Sequence, residues 1–371
     1  MPSADLDELA AWVRLTTTPK VGASALRRLL AAFGSPQRVL SAPAGARQAV
    51  AGEAAAAALS HEPALFARLW AQTVAWLEHA PAGVARDIIP LGDPRYPDIL
   101  LHAAGPPLLL YAEGRLPLLQ ATSVAIVGSR NATPAGLGHA RAFAGELAGT
   151  GLTVVSGLAL GVDAAAHTGA LAHPAGTVAV VGTGLDIVYP KQHGPLAERI
   201  RHGGLLISEH PLGTTPQPSH FPRRNRIIAG MTRGTLVVEA ALASGSLITA
   251  RLAAESGREV FAVPGSIHAP QSRGCHALLK QGAKLVETTA DILEELNWAA
   301  PAQVASRTGA PRPGAPDILL DALAHDPVDL DTLVARTGET APALTARLLQ
   351  LEFEGRVARL PGQRFQRLGP G

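Results

Sequence analysis

Seven short, strongly apolar runs between residues 124 and 287 constrain the fold of this chain more than any other feature of its sequence. Most end in a glycine-bearing turn, and segments with a helical pattern separate them. The runs are VAIVG (124–128), TVVSG (153–157), TVAVVG (177–182), LLISE (205–209), TLVVEA (235–240), EVFAVPG (259–265) and AKLVE (283–287). Because their hydrophobicity is continuous rather than alternating, we expect strands buried on both faces by helices. This pattern predicts an α/β fold, a Rossmann-like, doubly wound and mostly parallel sheet.

The segments on either side of these runs differ in composition and in hydrophobic pattern. Residues 1–80 show apolar spacing near 3.6, which predicts a small helical domain. Residues 81–297 combine a proline-rich, extended connector, from Pro90 to Pro117, with the Rossmann-like domain. Residues 298–316 are rich in proline and lack acids, as in a linker. Residues 317–371 read as helices followed by two short strand-like runs, which predicts a winged helix.

Composition narrows the class of protein. No apolar run approaches the roughly 20 residues that a membrane-spanning helix needs, and the first residues carry acids where a secretory signal has basic residues. The single cysteine, Cys275, excludes an internal disulfide and a cysteine-based metal cluster. We therefore expect a cytoplasmic protein with no membrane partner, no metal and no cofactor.

The residues that follow the predicted strands are the first place to look for a ligand site. Ligands of open parallel sheets bind outside the carboxyl ends of the strands, and glycines there let backbone amides approach an anion. Gly128, Ser129 and Arg130 follow the first run, Gly157 follows the second and Lys191 lies after the third. We interpret this edge as a phosphate-binding rim. Tyr189 and Phe221 are candidates for stacking on bases, although core packing explains each equally well.

A second cationic feature is the stretch FPRRNRIIAGMTRG, residues 221–234. It contains Arg223, Arg224, Arg226 and Arg233, and no carboxylate occurs from residue 210 to residue 238. One interpretation is a surface that faces an anion. The other is a helix face whose arginines pair with Glu209 and Glu239.

Sequence patterns of common enzymes are missing. The GSR segment lacks the GxGxxG spacing of a dinucleotide site, and GxxxxGK[ST], HExxH and GxSxG do not occur. No arrangement of serine, histidine and acid stands out from what a chain of this length holds by chance. We therefore predict that the protein is not an enzyme.

Several motifs, in order and spacing, resemble the DNA-processing protein A (DprA/Smf) family. They are GSR, SGLALGVDAAAH, GTGLDIVYP, SEHPLGTTPQPSHFPRRNRIIAG, LVVEAALASGSLITARLAAESGREVFAVPG and RGCHALLKQGAKLV. The resemblance implies sequence-independent binding of single-stranded DNA and loading of the RecA recombinase onto it in natural transformation and recombination. It also implies a homodimer formed through the Rossmann-like domain, with single-strand DNA-binding protein as a further candidate partner. The DNA-binding residues expected from the rim and from the resemblance are Gly128, Ser129, Arg130, Gly157, Lys191, Phe221, Arg223, Arg224, Asn225 and Arg226.

Two other functions remain open from the residues alone. One is a Rossmann-type nucleotide-binding or nucleoside-monophosphate-hydrolysing protein, although residues 237–250 lack the glycine-rich loop of such enzymes. The other is a structural dimer that recruits recombinase and binds DNA only incidentally. The two ends of the chain have separate expected roles. Residues 317–371 carry six arginines against eight carboxylates, so this winged helix should contact protein, or duplex DNA weakly. TPKVGASALRRLLAAFG, near the start, resembles a helix-hairpin-helix or SAM-like unit. The hairpin amides of such a unit can hold a phosphate, and a structural or protein-contact role is equally open.

Overall fold

The computed structural model describes residues 5–103, 105–299, 318–323 and 327–368. Its first part is helical, as predicted. Leu9, Val13 and Leu29 are fully buried in this part, and they join a core that continues to Ile88 and Tyr111 of the following sheet. The helices are α1 (Leu6–Thr17), α2 (Ala23–Phe33), α3 (Pro36–Ser41), α4 (Ala44–Ala51), α5 (Glu53–Leu59) and α6 (Phe66–Glu78). The SAM-like character of this unit stays a prediction.

A nine-stranded sheet forms the centre of the molecule, in the order β1-β2-β6-β5-β4-β3-β7-β8-β9. Its strands are β1 (Ala85–Pro90), β2 (Leu109–Gly114), β3 (Ser123–Val127), β4 (Thr153–Ser156), β5 (Thr177–Val180), β6 (Leu205–Ser208), β7 (Gly234–Val237), β8 (Glu259–Ala262) and β9 (Lys284–Leu285). Strands β3 to β9 correspond to the seven predicted runs and are parallel to one another. The predicted mostly parallel α/β fold is confirmed. Two further strands were not predicted: β1, which ends where the proline-rich connector begins, and β2, which lies within it, extend the same sheet in antiparallel pairing.

Helices cover both faces of the sheet because the central strands carry apolar side chains on both faces. Ala125 and Val127 of β3 belong to one core, and Val124 and Ile126 belong to the other. The helices are α7 (Asp98–Leu101), α8 (Pro134–Gly149), α9 (Val162–Ala170), α10 (Gly194–Gly203), α11 (His220–Gly230), α12 (Ser246–Glu255), α13 (Arg273–Lys280) and α14 (Thr289–Glu295). Helices α11 and α12 contribute to the first core, whereas α8 and α9 contribute to the second.

A winged helix with its own core follows. It consists of α15 (Ile318–Leu323), β10 (Val328–Asp329), α16 (Leu330–Thr337), α17 (Ala341–Phe353), β11 (Val357–Leu360) and β12 (Arg364–Arg367). The strands form a small sheet in the order β10-β12-β11, and Leu333, Leu348 and Phe365 lie in the core. The winged-helix prediction is confirmed. Most of the predicted linker, residues 300–316, lies outside the described residues, and the domain limits drawn from the sequence stay predictions.

The order in which strands are added to the sheet reverses between β3 and β7. From β3 the chain builds β4, β5 and β6 on one side, and it then returns to place β7, β8 and β9 on the other side. β3 and β7 are therefore parallel neighbours, with helices α8 and α12 leaving toward opposite faces. In open α/β sheets such a switch point opens a crevice beyond the carboxyl ends of the two strands.

Candidate nucleic-acid interface

A cleft of about 630 Å³ opens at this switch point. Its walls are residues 127–131 after β3, the first part of α11, and residues 241–249, which include the start of α12. Ala159, Asp163 and Tyr189 complete the lining. We call it the switch-point cleft. Of the predicted DNA-binding residues, it brings together Gly128, Ser129, Arg130, Phe221, Arg224 and Asn225.

Arg130 and two aromatic rings form the mouth of the cleft. The Arg130 side chain is exposed, and it forms no ion pair with any carboxylate of the described residues. Its guanidinium carbon lies 5.8 Å from the centroid of the Phe221 ring, and the rings of Phe221 and Tyr189 are 5.4 Å apart at 37°. A cation beside two accessible rings can hold a phosphate and stack on a base at neighbouring points.

Lys191 lies close to this mouth along the chain but not in the lining of the cleft. It begins the short 3-10 turn Lys191–His193, two residues after Tyr189. The side chain is exposed, and no carboxylate of the described residues pairs with it. Its position fits a phosphate contact just outside the cleft.

Arg224 lines the bottom of the cleft and is only 4% exposed. One terminal nitrogen donates a hydrogen bond to the Val180 carbonyl at 3.0 Å. Gly157 leaves room for this side chain, since a Cβ at residue 157 would lie 1.4 Å from that nitrogen. Gly157 therefore serves a buried arginine, whereas the sequence analysis expected it to approach the ligand.

Asp163 is the acidic residue in the lining of the cleft. Its carboxylate accepts hydrogen bonds from the backbone N–H groups of Gly157 and Ala159, at 3.1 and 3.3 Å. Burial lowers the pKa of Arg224 to about 10, while Asp163 acts in the opposite direction. Arg224 is thus charged at neutral pH. Burial also raises the pKa of Asp163, and Arg224 opposes that shift.

The remaining arginines of α11 do not line the cleft. Residues 221, 222, 224, 225 and 228 face it, so the helical repeat turns residues 223 and 226 to the other side. Arg226 forms an ion pair with Glu209, which is the alternative interpretation of this stretch. Arg223 is exposed and lies near His210. Phosphate contacts by Arg223 and Arg226 would therefore extend the interface outside the cleft.

The position of Arg233 contradicts the prediction that it shares a surface with the arginines of α11. It immediately precedes β7, and its backbone N–H donates a hydrogen bond to Ser123, the first residue of β3. Arg233 therefore lies at the amino ends of the strands, at the edge opposite the cleft. Its inclusion in one cationic surface with the arginines of α11 was wrong.

A stacked histidine pair joins the loop after β6 to the start of α11. The rings of His210 and His220 are 4.1 Å apart, and His220 contacts the Gly182 carbonyl at 3.1 Å. Burial, together with the charge of His220 and nearby arginines, lowers the pKa of His210 to about 4. His210 is therefore neutral at neutral pH and adds no positive charge to the interface.

The first turn of α8, where many Rossmann-like proteins hold a phosphate, is occupied by a carboxylate of the protein itself. Glu239 accepts hydrogen bonds from the backbone N–H and hydroxyl of Thr133, at 2.9 and 2.6 Å. A Cβ at Gly136 would lie 2.4 Å from the Glu239 carboxyl carbon, so the two segments touch. Burial raises the pKa of Glu239. The helix terminus that would bind a dinucleotide is thus filled.

The sequence analysis missed one wall of the cleft. Ser244, Ser246 and Thr249 line it, and the two serine hydroxyls are 2.7 Å apart. This wall follows β7, at the same end of the sheet as the predicted rim, but its neutral hydroxyl groups gave no signal beside the arginines. Within the described ranges, no group of three or more His, Cys, Asp or Glu side chains is arranged to hold a metal ion. Nor does any helix of those ranges have the length and apolar character needed to cross a bilayer.

Fold and cleft together define a class, Rossmann-like proteins with a cleft at the switch point and a winged helix after it. Within that class, the sequence model described as DNA recombination-mediator protein A matches residues 87–297. The model of the DprA winged helix domain matches residues 301–363. The chain belongs to the DNA recombination-mediator protein A (DprA) family.

Individual relatives agree with this assignment. Protein Smf of Escherichia coli is 41% identical over 301 residues, which cover 78% of this chain and 79% of the relative. DNA processing protein DprA of Streptococcus pneumoniae is 46% identical over 206 residues, 56% of this chain and 73% of the relative. The X-ray structure of DprA from Streptococcus pneumoniae has a TM-score of 0.63 at 35% identity, covering 80% of this chain and 99% of that one. DNA processing protein A from Helicobacter pylori, whose structure was described for its single-stranded DNA binding mode, has a TM-score of 0.50 at 33% identity, covering 54% and 92%.

Proposed function

We propose that this protein binds single-stranded DNA at the switch-point cleft without sequence preference and loads RecA recombinase onto it in transformation and recombination. The observation that carries the DNA-binding proposal is the mouth of the cleft, where the unpaired Arg130 lies against the Phe221 ring. The Helicobacter pylori relative, described as binding single-stranded DNA, supports the same ligand.

The arrangement suits a flexible strand better than a rigid duplex. Single strands are held by cations that follow the phosphates and by rings on which bases stack, and neither contact depends on sequence. Arg130 offers a planar pair of donors to one phosphate, while Tyr189, 44% exposed, and Phe221 offer ring faces. Bases paired inside a duplex could not reach these rings.

A hydrolytic role is less well supported than binding. In the alternative function, a nucleotide phosphate would need the helix terminus that Glu239 already occupies. His167 is fully buried, and its two ring nitrogens contact Leu158 N and Thr177 Oγ1 at 3.2 and 2.7 Å. We therefore propose a binding protein that is not an enzyme.

The partners and compartment are further parts of the proposal. RecA, and single-strand DNA-binding protein as a second candidate, rest on family membership. A homodimer is supported by exposed apolar side chains in the segment from β7 to α12 and in β9. Leu242 is 63% exposed, Ile248 37% and Leu285 47%. A cytoplasmic location fits a chain whose only cysteine, Cys275, is free and buried.

Charge reversal at the two edges of the sheet tests the site. We expect Arg130→Glu to weaken binding of oligo-dT by about tenfold or more, because it removes a phosphate contact and adds repulsion. Lys191→Glu should act in the same direction. The matched control is Arg233→Glu, the same charge change at the opposite edge, which should leave affinity within about twofold. Fluorescence anisotropy titrations would measure all four proteins, including wild type.

Salt dependence provides a second measure. The slope of log affinity against log salt should be shallower by about 0.7 in Arg130→Gln, for one lost phosphate contact. Equal affinity of Arg130→Glu and Arg233→Glu would contradict the proposed site. Binding of wild-type protein that does not change with salt would contradict an electrostatic interface altogether.

A further inference from the structure

The loop that carries Arg130 is held at both of its ends by one residue, Glu239. This loop, residues 128–133, connects β3 to α8, and Glu239 follows the neighbouring strand β7. At the start of the loop, the backbone carbonyl of Glu239 accepts a hydrogen bond from the Ser129 N–H at 2.7 Å. At its end, the Glu239 carboxylate accepts hydrogen bonds from the N–H and the hydroxyl of Thr133. We call residues 128–133 the Arg130 loop.

The start of the Arg130 loop is also enclosed on its other side. The Ser129 carbonyl accepts a hydrogen bond from the Val162 N–H at 3.2 Å. A Cβ at Gly161 would lie 2.2 Å from the same Ser129 oxygen, so the two segments are in close contact. The Arg130 side chain, in contrast, is exposed. An exposed cation thus projects from a backbone that its neighbours hold in place.

The charge of Glu239 cannot itself favour DNA. The side chain is half-buried, burial raises its pKa, and the hydrogen bonds from Thr133 oppose that shift. No arginine or lysine of the described residues forms an ion pair with Glu239. A carboxylate without a cationic partner repels phosphates at the edge of the sheet where we expect the strand. Any contribution of Glu239 to DNA binding therefore comes from its hydrogen bonds to the loop.

We propose that Glu239 is a positioning residue for Arg130, and that it holds both ends of the Arg130 loop so that the guanidinium stays at the mouth of the cleft before DNA binds. A loop that is already ordered loses less conformational freedom when a ligand binds, and affinity rises accordingly. Neither Glu239 nor Thr133 lines the cleft, so both act on DNA through Arg130. This inference rests on the proposed function and adds a residue that supports the site without touching the strand.

The test compares Glu239→Ala with Glu239→Gln in binding of oligo-dT. Alanine removes both acceptors of the side chain, and we expect binding to weaken about fivefold, the scale of coupling within one hydrogen-bonded network. Glutamine keeps an oxygen for the Thr133 N–H, and its amide can donate to the Thr133 hydroxyl, so Glu239→Gln should bind within about twofold of wild type. If Glu239 acted only by repelling phosphates, both substitutions would instead raise the affinity, because both remove the same charge.

A double-mutant cycle shows whether the effect passes through Arg130. In an Arg130→Gln background, Glu239→Ala should cause no further loss of affinity, because the side chain that it positions is gone. The matched control is Asp291→Ala. The Asp291 carboxylate accepts hydrogen bonds from the N–H and the hydroxyl of Thr288, at 2.8 and 3.2 Å, at the start of α14 and away from the cleft. Asp291→Ala should lower thermal stability, as the loss of a helix cap does, and leave binding of oligo-dT unchanged.

Three results would overturn the proposal. They are unchanged or tighter binding by Glu239→Ala, an equal loss in Glu239→Ala and Glu239→Gln, and a loss of undiminished size in the Arg130→Gln background. Failure of the proposed function itself would appear separately, as equal binding by wild type and Arg130→Glu. Thermal melting shows whether each variant folds. Should Glu239→Ala not fold, the same cycle with Thr133→Val, which removes only the hydroxyl contact, decides the question by a smaller loss that must also vanish in Arg130→Gln.

Discussion

The mouth and the base of the switch-point cleft each contain an arginine, in opposite environments. At the mouth, Arg130 is exposed and pairs with no carboxylate of the described residues. At the base, Arg224 is 4% exposed, donates a hydrogen bond to Val180 and lies opposite Asp163. Positive charge in a sequence therefore does not by itself identify a DNA contact. Burial and the partners of the side chain decide which role each arginine has.

The two positions should respond differently to substitution. An exposed, unpaired arginine contributes little to folding, so its loss should be measured in DNA affinity. A buried arginine that donates to a backbone carbonyl is tied to the fold, because a displaced guanidinium leaves a charge buried without its hydrogen bond. Substitutions that affect Arg224 at the bottom of the cleft should thus mainly lower the stability of the fold. Substitutions at the mouth should mainly lower the affinity for DNA.

Gly157→Ala is the strongest test of how Arg224 is held at the bottom of the cleft. The added Cβ would lie within 1.4 Å of an Arg224 nitrogen, and the guanidinium would have to leave its contact with the Val180 carbonyl. We expect the free energy of unfolding to fall by about 3 kcal/mol, because a buried charge loses its hydrogen bond. Urea denaturation followed by circular dichroism would measure it.

A glycine elsewhere on the same domain provides the control. Gly138 lies within α8, and a Cβ there would meet no atom within 4 Å. Gly138→Ala should leave stability unchanged or raise it by up to about 1 kcal/mol, since alanine favours a helix. Similar unfolding curves for Gly157→Ala and Gly138→Ala would show that Arg224 is not fixed in place, and the contrast between mouth and base would fail.

Phe221→Leu tests the mouth. The substitution keeps an apolar side chain but removes the ring that contacts Tyr189 and Arg130. Because stacking on an aromatic ring contributes roughly 1–3 kcal/mol per base, we expect a loss of about 2 kcal/mol in binding of oligo-dT. Stability should change much less than in Gly157→Ala. Anisotropy titrations and urea denaturation of the same preparation would measure both.

The matched substitution is Phe353→Leu in the winged helix. Phe353 is 85% exposed at the end of α17, so its ring is at least as accessible as that of Phe221. We expect no change in binding of oligo-dT. A larger loss in Phe353→Leu than in Phe221→Leu would instead place the strand on the winged helix.

The sheet could be predicted where the sequence is locally unambiguous. Seven continuous apolar runs, each bounded by turn residues, gave β3 to β9 because such runs fit buried parallel strands. No strand was predicted at β1, and the segment of β2 was interpreted only as part of an extended connector. They pair with each other and with β6 in antiparallel fashion, and that pairing depends on distant residues and not on the local pattern.

The site could be predicted to the level of segments but not of side chains. Arg130 was placed correctly at the rim because it directly follows a buried strand. The phase of α11, which separates Arg224 from Arg223 and Arg226, follows from helical periodicity, but the face that meets the cleft depends on packing. Arg233 shows an avoidable error, since a residue that precedes a strand lies at the edge opposite the residues that follow one.

The smallest expected effect is the contribution of His167, which lies near Arg224 at the bottom of the cleft, to the pH dependence of stability. His167 Nε2 accepts a hydrogen bond from the Leu158 N–H, next to Gly157, and Nδ1 bonds to Thr177 Oγ1. Burial lowers the pKa of His167 to about 3, with Arg224 and His193 acting in the same direction. Below about pH 6.5 the unfolded chain therefore gains a proton that the folded protein does not take up. The free energy of unfolding should fall by about 1 kcal/mol from this group between pH 7 and pH 5.5.

His167→Gln isolates that contribution, because the other titrating groups are common to both proteins. Urea denaturation at both pH values should show a drop in stability that is smaller in the variant by about 1 kcal/mol. Since His167 is fully buried, binding of oligo-dT by the folded variant should follow wild type over the same range. An equal pH dependence of stability in the two proteins would mean that the folded protein does protonate this histidine. The residues around Arg224 at the bottom of the cleft would then accommodate a further positive charge. The contrast between a fixed bottom and a DNA-binding mouth of the cleft would not hold.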